Sequence, residues 1–186
     1  MKTVSRDQTM VAPLKSLDRE AAFASVICTD DSDVVDVFGP TIQFLTDESE
    51  EEVAPCLLRG TIPPGLSVPM HSHVDYETFY VLSGEVEVLT EHNGESRWLP
   101  AKTGDVIQIP SGAVHAFRNQ SKRPVEQLIV TTARLARFFR EIGRPMSAAG
   151  APPRPEELQN FITTSARYGY WLASPEENAC VGINLP

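Results

Sequence analysis

Hydrophobic and polar residues alternate in short runs from residue 34 to residue 132, and turn residues separate these runs at close spacing. The pattern is typical of an antiparallel β-sandwich or barrel. Between two of the runs, Asn93 and Gly94 predict a tight type I′ hairpin, because that turn needs two residues with positive φ. The predicted strands are VVDVF, TIQFL, CLLRGTI, ETFYVL, EVEVLTE, SRWL, DVIQI, HAFRN and VEQLIVTT.

Beyond Thr132 the hydrophobic period changes to that of an α-helix. In ARLARFFREIGRP, apolar residues lie at i, i+3, i+4 and i+7, and a glycine and a proline follow as stop signals. A second helix, PEELQNFITTSARYG, begins with a proline and acidic residues and is expected to bury Leu158, Phe161 and Ile162. The chain thus divides into an N-terminal arm (1–33, with a short helix around 18–26), a β-barrel (34–132) and a C-terminal helical extension and tail (133–186).

The composition narrows the kind of partner that the chain binds. Its 186 residues suit one domain, and a formal net charge of −9 argues against nucleic acid. No apolar run approaches the ~20 residues that span a bilayer, and the polar N-terminus lacks the apolar segment of a secretory signal. Cys28, Cys56 and Cys180 show no CxxC spacing, which speaks against a thiolate metal site. We therefore expect a cytoplasmic protein that binds a small molecule, with no nucleic-acid or membrane partner.

Two histidines and a glutamate lie together in GLSVPMHSHVDYETFYVLSG, residues 65–84. If the chain is extended there, His71, His73 and Glu77 share one face, because alternate residues of a strand point the same way. Burying these groups without a partner costs on the order of several kcal/mol, which a divalent cation would offset. His115 follows a Pro-Ser-Gly turn, and a hairpin return would set it opposite the first strand. Three imidazoles and one carboxylate suit octahedral Mn, Fe, Co or Ni with open positions.

Both stretches resemble the motifs of the cupin superfamily. Residues 65–84 match G-x5-H-x-H-x3-E-x6-G, and residues 104–119 match G-x5-P-x-G-x2-H-x3-N, at every fixed position. The resemblance covers about residues 56–132 and implies an all-β fold, a cupin jelly-roll (double-stranded β-helix) barrel with C-terminal helices. It also implies one divalent transition metal ion per chain (Ni, Co, Fe or Mn), held by His71, His73, Glu77 and His115. A purely structural role for these side chains is the alternative.

The spacing in HSHVDYETFYVLSG, together with the helices RFFREIG-P and ARYG, resembles the monocupin quercetinase-like group. That resemblance implies a flavonol dioxygenase (quercetin 2,3-dioxygenase, also called flavonol 2,4-dioxygenase), which cleaves the heterocycle with O2 to a depside and carbon monoxide. Glu77 would be the catalytic residue that takes the proton of the flavonol 3-hydroxyl. The expected partners are a small aromatic substrate, O2 and a second copy of the chain, since similar cupins are often dimers.

A flat aromatic substrate needs an apolar wall in its pocket. Alternation along the strands favours Phe79, Val81 and Phe117 for that wall, since they share a face with the ligands, but each is also suited to an ordinary core position. Two other functions stay open. One is a non-oxidative metal-dependent lyase or isomerase acting on a small oxygenated substrate, which a basic pocket would favour, with Arg59 on a strand of uncertain facing. The other is a binding protein without turnover. The full set of candidate pocket residues is Tyr76, Phe79, Val81, Ile109 and Phe117.

Overall fold

A computed structural model describes residues 26–30, 32–46 and 49–185. The helix predicted around 18–26 and most of the N-terminal arm lie outside these residues. The strands are β1 (Val34–Asp36), β2 (Thr41–Phe44), β3 (Pro55–Ile62), β4 (Ser67–Ser72), β5 (Glu77–Ser83), β6 (Glu85–His92), β7 (Glu95–Lys102), β8 (Val106–Ile109), β9 (His115–Arg118), β10 (Val125–Thr132), β11 (Arg144–Pro145) and β12 (Trp171–Leu172).

The strands form two antiparallel sheets that pack face to face. One sheet has the order β11-β1-β2-β3-β10-β5-β8, and the other has the order β12-β4-β9-β6-β7. This arrangement confirms the predicted jelly-roll: from β3 to β10 each strand lies in the other sheet from the one before it, except that β6 and β7 share a sheet. The predicted strands lack β4 and the two-residue strands β11 and β12. Most residues of β4 are half-buried without the alternation that marks a strand in the sequence.

The core lies between the sheets and draws on both. Leu58, Val81 and Ile129 come from the first sheet, and Val88 and Phe117 come from the second. These side chains sit on one face of each strand, as alternate positions of a pleated strand must. At the end of the β6–β7 pair, Asn93 and Gly94 have φ angles of 54° and 78°, which confirms the predicted hairpin.

The helices follow the barrel. They are α1 (Ala133–Ile142), α2 (Pro155–Tyr168) and α3 (Pro175–Cys180), with a 3-10 turn at Met146–Ala148. The start of α1 confirms the change of period after Thr132, whose hydroxyl accepts a hydrogen bond from the Leu135 amide as the N-cap. Among the described residues, none of the helices combines the length and apolarity needed to cross a membrane.

The buried face of α2 differs from the expectation. Phe161 packs near Phe138 of α1, with ring centroids 6.4 Å apart, but Leu158 and Ile162 are 42% and 54% exposed. The prediction that these two residues are buried is therefore wrong. Helix α2 turns Thr164 and Ser165 inward instead, because the aromatic contact with α1 sets its rotation and three apolar residues are too few to impose another.

Gly84 lies in the tight turn between β5 and β6, close to the backbone before β10. Its φ is 84°, and a Cβ there would lie 2.6 Å from the Pro124 carbonyl oxygen. We expect Gly84→Ala to lower the free energy of unfolding by about 3 kcal/mol through strain and collision with backbone. The matched control is Gly65→Ala, with φ of 75° and nothing within 4 Å, which should cost about 1 kcal/mol. Urea denaturation measures both variants, and equal losses would contradict the role of the close approach.

Candidate metal centre

The four predicted ligands come from different parts of the fold. His71 lies on β4, His73 lies in the loop after it, Glu77 begins β5 and His115 begins β9. Strands β4 and β9 pair so that His71 lies opposite His115, whereas β5 belongs to the other sheet. The site is therefore built where the chain crosses from one sheet to the other.

This crossing corrects the expectation that 71–77 is one extended strand. Strand β4 ends at Ser72, and residues 73–76 bend before β5 begins at Glu77. The bend is held by a hydrogen bond from the Gly112 amide to the His73 carbonyl, at 2.7 Å. The side chains converge because two sheets and a loop meet there, and not because of strand parity.

The structure brings the four side chains together. His71, His73 and His115 each offer a ring nitrogen, and these atoms lie within 4.8 Å of one another. Glu77 Oε2 lies 3.3 Å from Nε2 of His73 and 3.3 Å from Nε2 of His115. His73, Glu77 and His115 are buried, and His71 is half-buried.

Backbone carbonyls orient the three imidazoles. The Nδ1 atom of His71 lies 2.7 Å from the Pro69 oxygen, that of His73 lies 2.9 Å from the Asp75 oxygen, and that of His115 lies 2.9 Å from the Ala113 oxygen. A carbonyl only accepts hydrogen bonds, so each Nδ1 carries the hydrogen, and in the neutral imidazole Nε2 keeps a free lone pair. Such outer contacts are usual for histidines that bind a metal ion.

The donor set fits a metal ion. His115 is 1% exposed, and its Nε2 has no hydrogen-bond partner within the described part of the chain. With the hydrogen on Nδ1, this atom has no hydrogen to give to the nearby carboxylate. A buried acceptor without a partner is costly, and a cation between this atom, the other two imidazoles and the carboxylate would satisfy it. The residues present could thus hold a metal ion.

The charges agree with this role. Burial, together with the neighbouring His115 and His73, lowers the pKa of His71 to about 3, so its imidazole is neutral at neutral pH. Burial would raise the pKa of Glu77, but its contacts with His115 and His73 outweigh burial and hold that pKa below the usual range. Burial likewise opposes protonation of His73, but the hydrogen bond and charge of Glu77 raise its pKa overall, so a proton and a metal ion compete for this nitrogen beside the carboxylate. The site thus presents a carboxylate beside imidazoles, as a divalent cation requires.

Four of the candidate pocket residues are buried around the site. Phe79 and Phe117 lie with ring centroids 4.9 Å apart, and the Phe117 ring lies 6.0 Å from that of His115. Ile109 pairs with Glu77 across β5 and β8, and Val81 lies further along β5. Tyr76 is not brought to this wall: it is 39% exposed, because its place between two buried neighbours turns it to the opposite side.

A cavity of about 390 Å³ opens beside His115, between the β6–β7 pair and β8. Its wall includes Val88, Leu99, Ile107 and Ile109, and it contains no lysine or arginine from the part of the chain that is described. Arg59 is exposed on the outer side of β3, away from the buried face of that strand. A larger hollow of about 520 Å³, near Glu85 and Lys102, touches none of the four candidate ligands.

Two polar residues near the ligands do not figure among the sequence candidates. Asp75 is 3% exposed, and Tyr170 is also buried. The position of Asp75 between His73 and Glu77 is a signal that the sequence offers. Tyr170 carries no such signal, because 95 residues separate it from Asp75, the residue whose carboxylate it contacts.

Comparison with known proteins reveals a shared region that contains the site. The family model described as "Cupin domain" matches residues 58–131, which include all four candidate ligands. An oxalate-binding protein of Thermotoga maritima is 34% identical over 88 residues, which make up 47% of this chain and 69% of that protein.

Two similar enzymes carry different activities. Quercetin 2,3-dioxygenase of Bacillus subtilis is 34% identical over 98 residues, which make up 52% of this chain and 28% of the enzyme. Dimethylsulfoniopropionate lyase DddQ of Ruegeria pomeroyi is 38% identical over 69 residues, which make up 37% of this chain and 32% of the enzyme. The chain therefore aligns with less than a third of either enzyme, and the reaction must be argued from the site.

Proposed function

The chain belongs to the cupin family, and on that premise we propose that it is a metal-dependent dioxygenase that cleaves a flavonol heterocycle with O2, giving a depside and carbon monoxide. The observation that carries the proposal is the convergence of three imidazoles and Glu77, with a cavity of mixed polar and apolar lining beside His115. The similarity to the Bacillus subtilis quercetin 2,3-dioxygenase, over about half of this chain, supports it.

His71, His73, Glu77 and His115 would hold one divalent transition metal ion. Neutral imidazoles with one carboxylate and no thiolate suit Ni, Co, Fe or Mn better than a closed structural zinc site. The bound ion would supply Lewis-acid polarisation of the flavonol oxygen.

Glu77 would move the proton. Its Oε2 faces His73 and His115, which leaves Oε1 as the atom that would accept the proton of the flavonol 3-hydroxyl. The resulting short, charge-assisted hydrogen bond would hold the deprotonated substrate in place. This role needs a carboxylate rather than an amide at position 77.

The apolar wall would orient the substrate and exclude water. Ile107 and Ile109 line the cavity, and Ile109 pairs with Glu77. Phe79 and Phe117 belong to the buried core and are not among the residues that line this cavity. Flat aromatic rings gain from contact with apolar side chains, and O2 is itself apolar. The cavity volume of about 390 Å³ falls in the usual range for small-molecule sites.

The proposal is tested by loading metal-free protein separately with Fe, Mn, Co and Ni. We expect oxygen uptake with quercetin, and carbon monoxide released in equal amount, for at least one of these ions. The matched control substrate is luteolin, which has the same rings without the 3-hydroxyl and should not be consumed. No oxygen uptake with any ion would overturn the proposal.

The other two functions make different predictions in the same experiment. Apart from the metal ion, the cavity beside His115 offers a small acid no lysine or arginine among the residues described. Consumption of a small oxygenated acid without O2 would nevertheless indicate a lyase. Binding of quercetin without turnover by every metal form would indicate a binding protein.

A further inference from the structure

We infer that Tyr170 and Asp75 form a buried pair that positions the candidate ligand His73. Through this pair, the C-terminal extension contributes to metal binding. The inference rests on the metal site of the proposed function, and it does not depend on the flavonol reaction.

His73 needs support that the sheets do not give. It lies in the loop between β4 and β5, where no strand pairing holds it. Its Nδ1 donates to the backbone oxygen of Asp75 at 2.9 Å, so the orientation of the ring follows the position of the Asp75 backbone. Contacts that hold Asp75 in place therefore also limit the orientation of the His73 ring.

Three side chains from beyond β5 hold the Asp75 carboxylate. The Thr132 hydroxyl donates to Oδ1, while the Tyr170 hydroxyl donates to Oδ2 at 2.5 Å and Arg134 Nη1 donates to Oδ2 at 3.1 Å. A carboxylate that is 3% exposed is stable only with such partners. Because the Thr132 hydroxyl also caps α1, the loop is fastened to the start of that helix.

Tyr170 acts on His73 by a second route. Its ring centroid lies 5.3 Å from that of His73, and on another side it lies 4.8 Å from that of Phe138. The tyrosine is thus wedged between α1 and the imidazole while its hydroxyl holds Asp75. This double contact limits both the position and the tilt of the His73 ring.

The same segment reaches the strand that bears His71. Directly after Tyr170, β12 pairs with β4, and Leu172 lies opposite His71. The Asn178 side chain then accepts a hydrogen bond from the Met70 amide at 2.8 Å. Tyr170 and Asn178 lie outside the region 58–131 that the family model matches. The extension therefore supports two of the ligands from outside the shared barrel.

Tyr170→Phe in the full chain tests the inference, with Co²⁺ as the probe. The substitution removes one oxygen and keeps the ring, so the fold should persist. We expect Co²⁺ to bind about tenfold more weakly, as is typical when an outer partner of a ligand is lost. We also expect the visible absorption bands of the bound Co²⁺ to shift, because the His73 ring is less constrained.

Tyr168→Phe is the matched control. Tyr168 lies near Tyr170, with ring centroids 5.5 Å apart, but its hydroxyl donates to Glu141 at 2.7 Å and makes no contact with Asp75. This variant should match the unsubstituted protein in Co²⁺ affinity and spectrum. Thermal unfolding of both variants without metal separates a loss of stability from a loss of ligand positioning.

Asp75→Asn provides a second measurement. It keeps the size of the side chain and removes the charge that Arg134 and the two hydroxyls hold, so Co²⁺ affinity should fall at least as far. Unchanged Co²⁺ affinity and spectrum in Tyr170→Phe, even with a lowered unfolding temperature, would overturn the positioning role alone. Absence of Co²⁺ binding by the unsubstituted protein would overturn the metal site and this inference with it.

Discussion

The His115→Ala protein is expected to lose its bound metal and its oxygen uptake together. His115 contributes a buried Nε2 without a hydrogen-bond partner, and its ring lies 4.2 Å and 5.1 Å from those of His71 and His73. Loss of an outer partner of a ligand typically weakens metal binding by about 10–100-fold, and loss of the ligand itself should weaken it further. Elemental analysis of the purified protein gives the metal content per chain.

The control for this substitution is His92→Ala, which changes the remaining histidine of the sequence at the end of β6. It should leave metal content and turnover unchanged. Circular dichroism of His115→Ala without metal checks that the barrel has folded. A His115→Ala protein that is folded and still holds one metal ion per chain would show that His115 is not a ligand.

Glu77→Gln is expected to fold and to lose turnover by about 10²–10⁴-fold, the usual contribution of a general base. The amide keeps an oxygen that can contact a metal ion, but it cannot take the proton of the substrate hydroxyl. Position 77 begins β5 and pairs with Ile109, and the substitution preserves both the length of the side chain and the backbone pairing. Oxygen uptake at saturating quercetin, normalised to metal content, measures the effect.

Glu126→Gln is the matched control, since Glu126 is exposed on β10 and the same chemical change there meets no candidate ligand. It should retain the full rate. If Glu77→Gln turned over quercetin at the rate of the unsubstituted protein, Glu77 would be a ligand or a structural residue and not the base.

The sequence predicted the ligand residues without predicting their geometry. The two motifs identify the candidate ligands, because histidines and a carboxylate at those spacings are chemically unusual in an apolar stretch. They do not reveal that the chain bends after Ser72 and enters the other sheet at Glu77. The local conformational preferences of these few residues hardly distinguish a bend from a strand. The bend is stabilised instead by a distant contact, the hydrogen bond from the Gly112 amide to the His73 carbonyl.

Helix α2 shows the same limit at the level of packing. Its ends followed from local signals, since Pro155 suits the first turn and Gly169 takes a left-handed conformation, with φ of 73°. Which face of α2 is buried did not follow from local signals, because that depends on the elements against which the helix packs. The aromatic cluster of Phe138, Phe161 and Tyr168 makes that choice.

By itself the sequence determined the strand pattern apart from β4, β11 and β12, the hairpin at Asn93-Gly94, the limits of α1 and the chemistry of the four candidate ligands. These features depend on residue type and on neighbours a few positions away, and such short-range preferences are written in the local sequence. Only the tertiary structure decided that the His73 ring packs near the Tyr170 ring and that Tyr76 points away from the other candidate pocket residues. Contacts between residues so far apart in the chain exist only after the sheets and helices have packed, since packing alone brings them within reach.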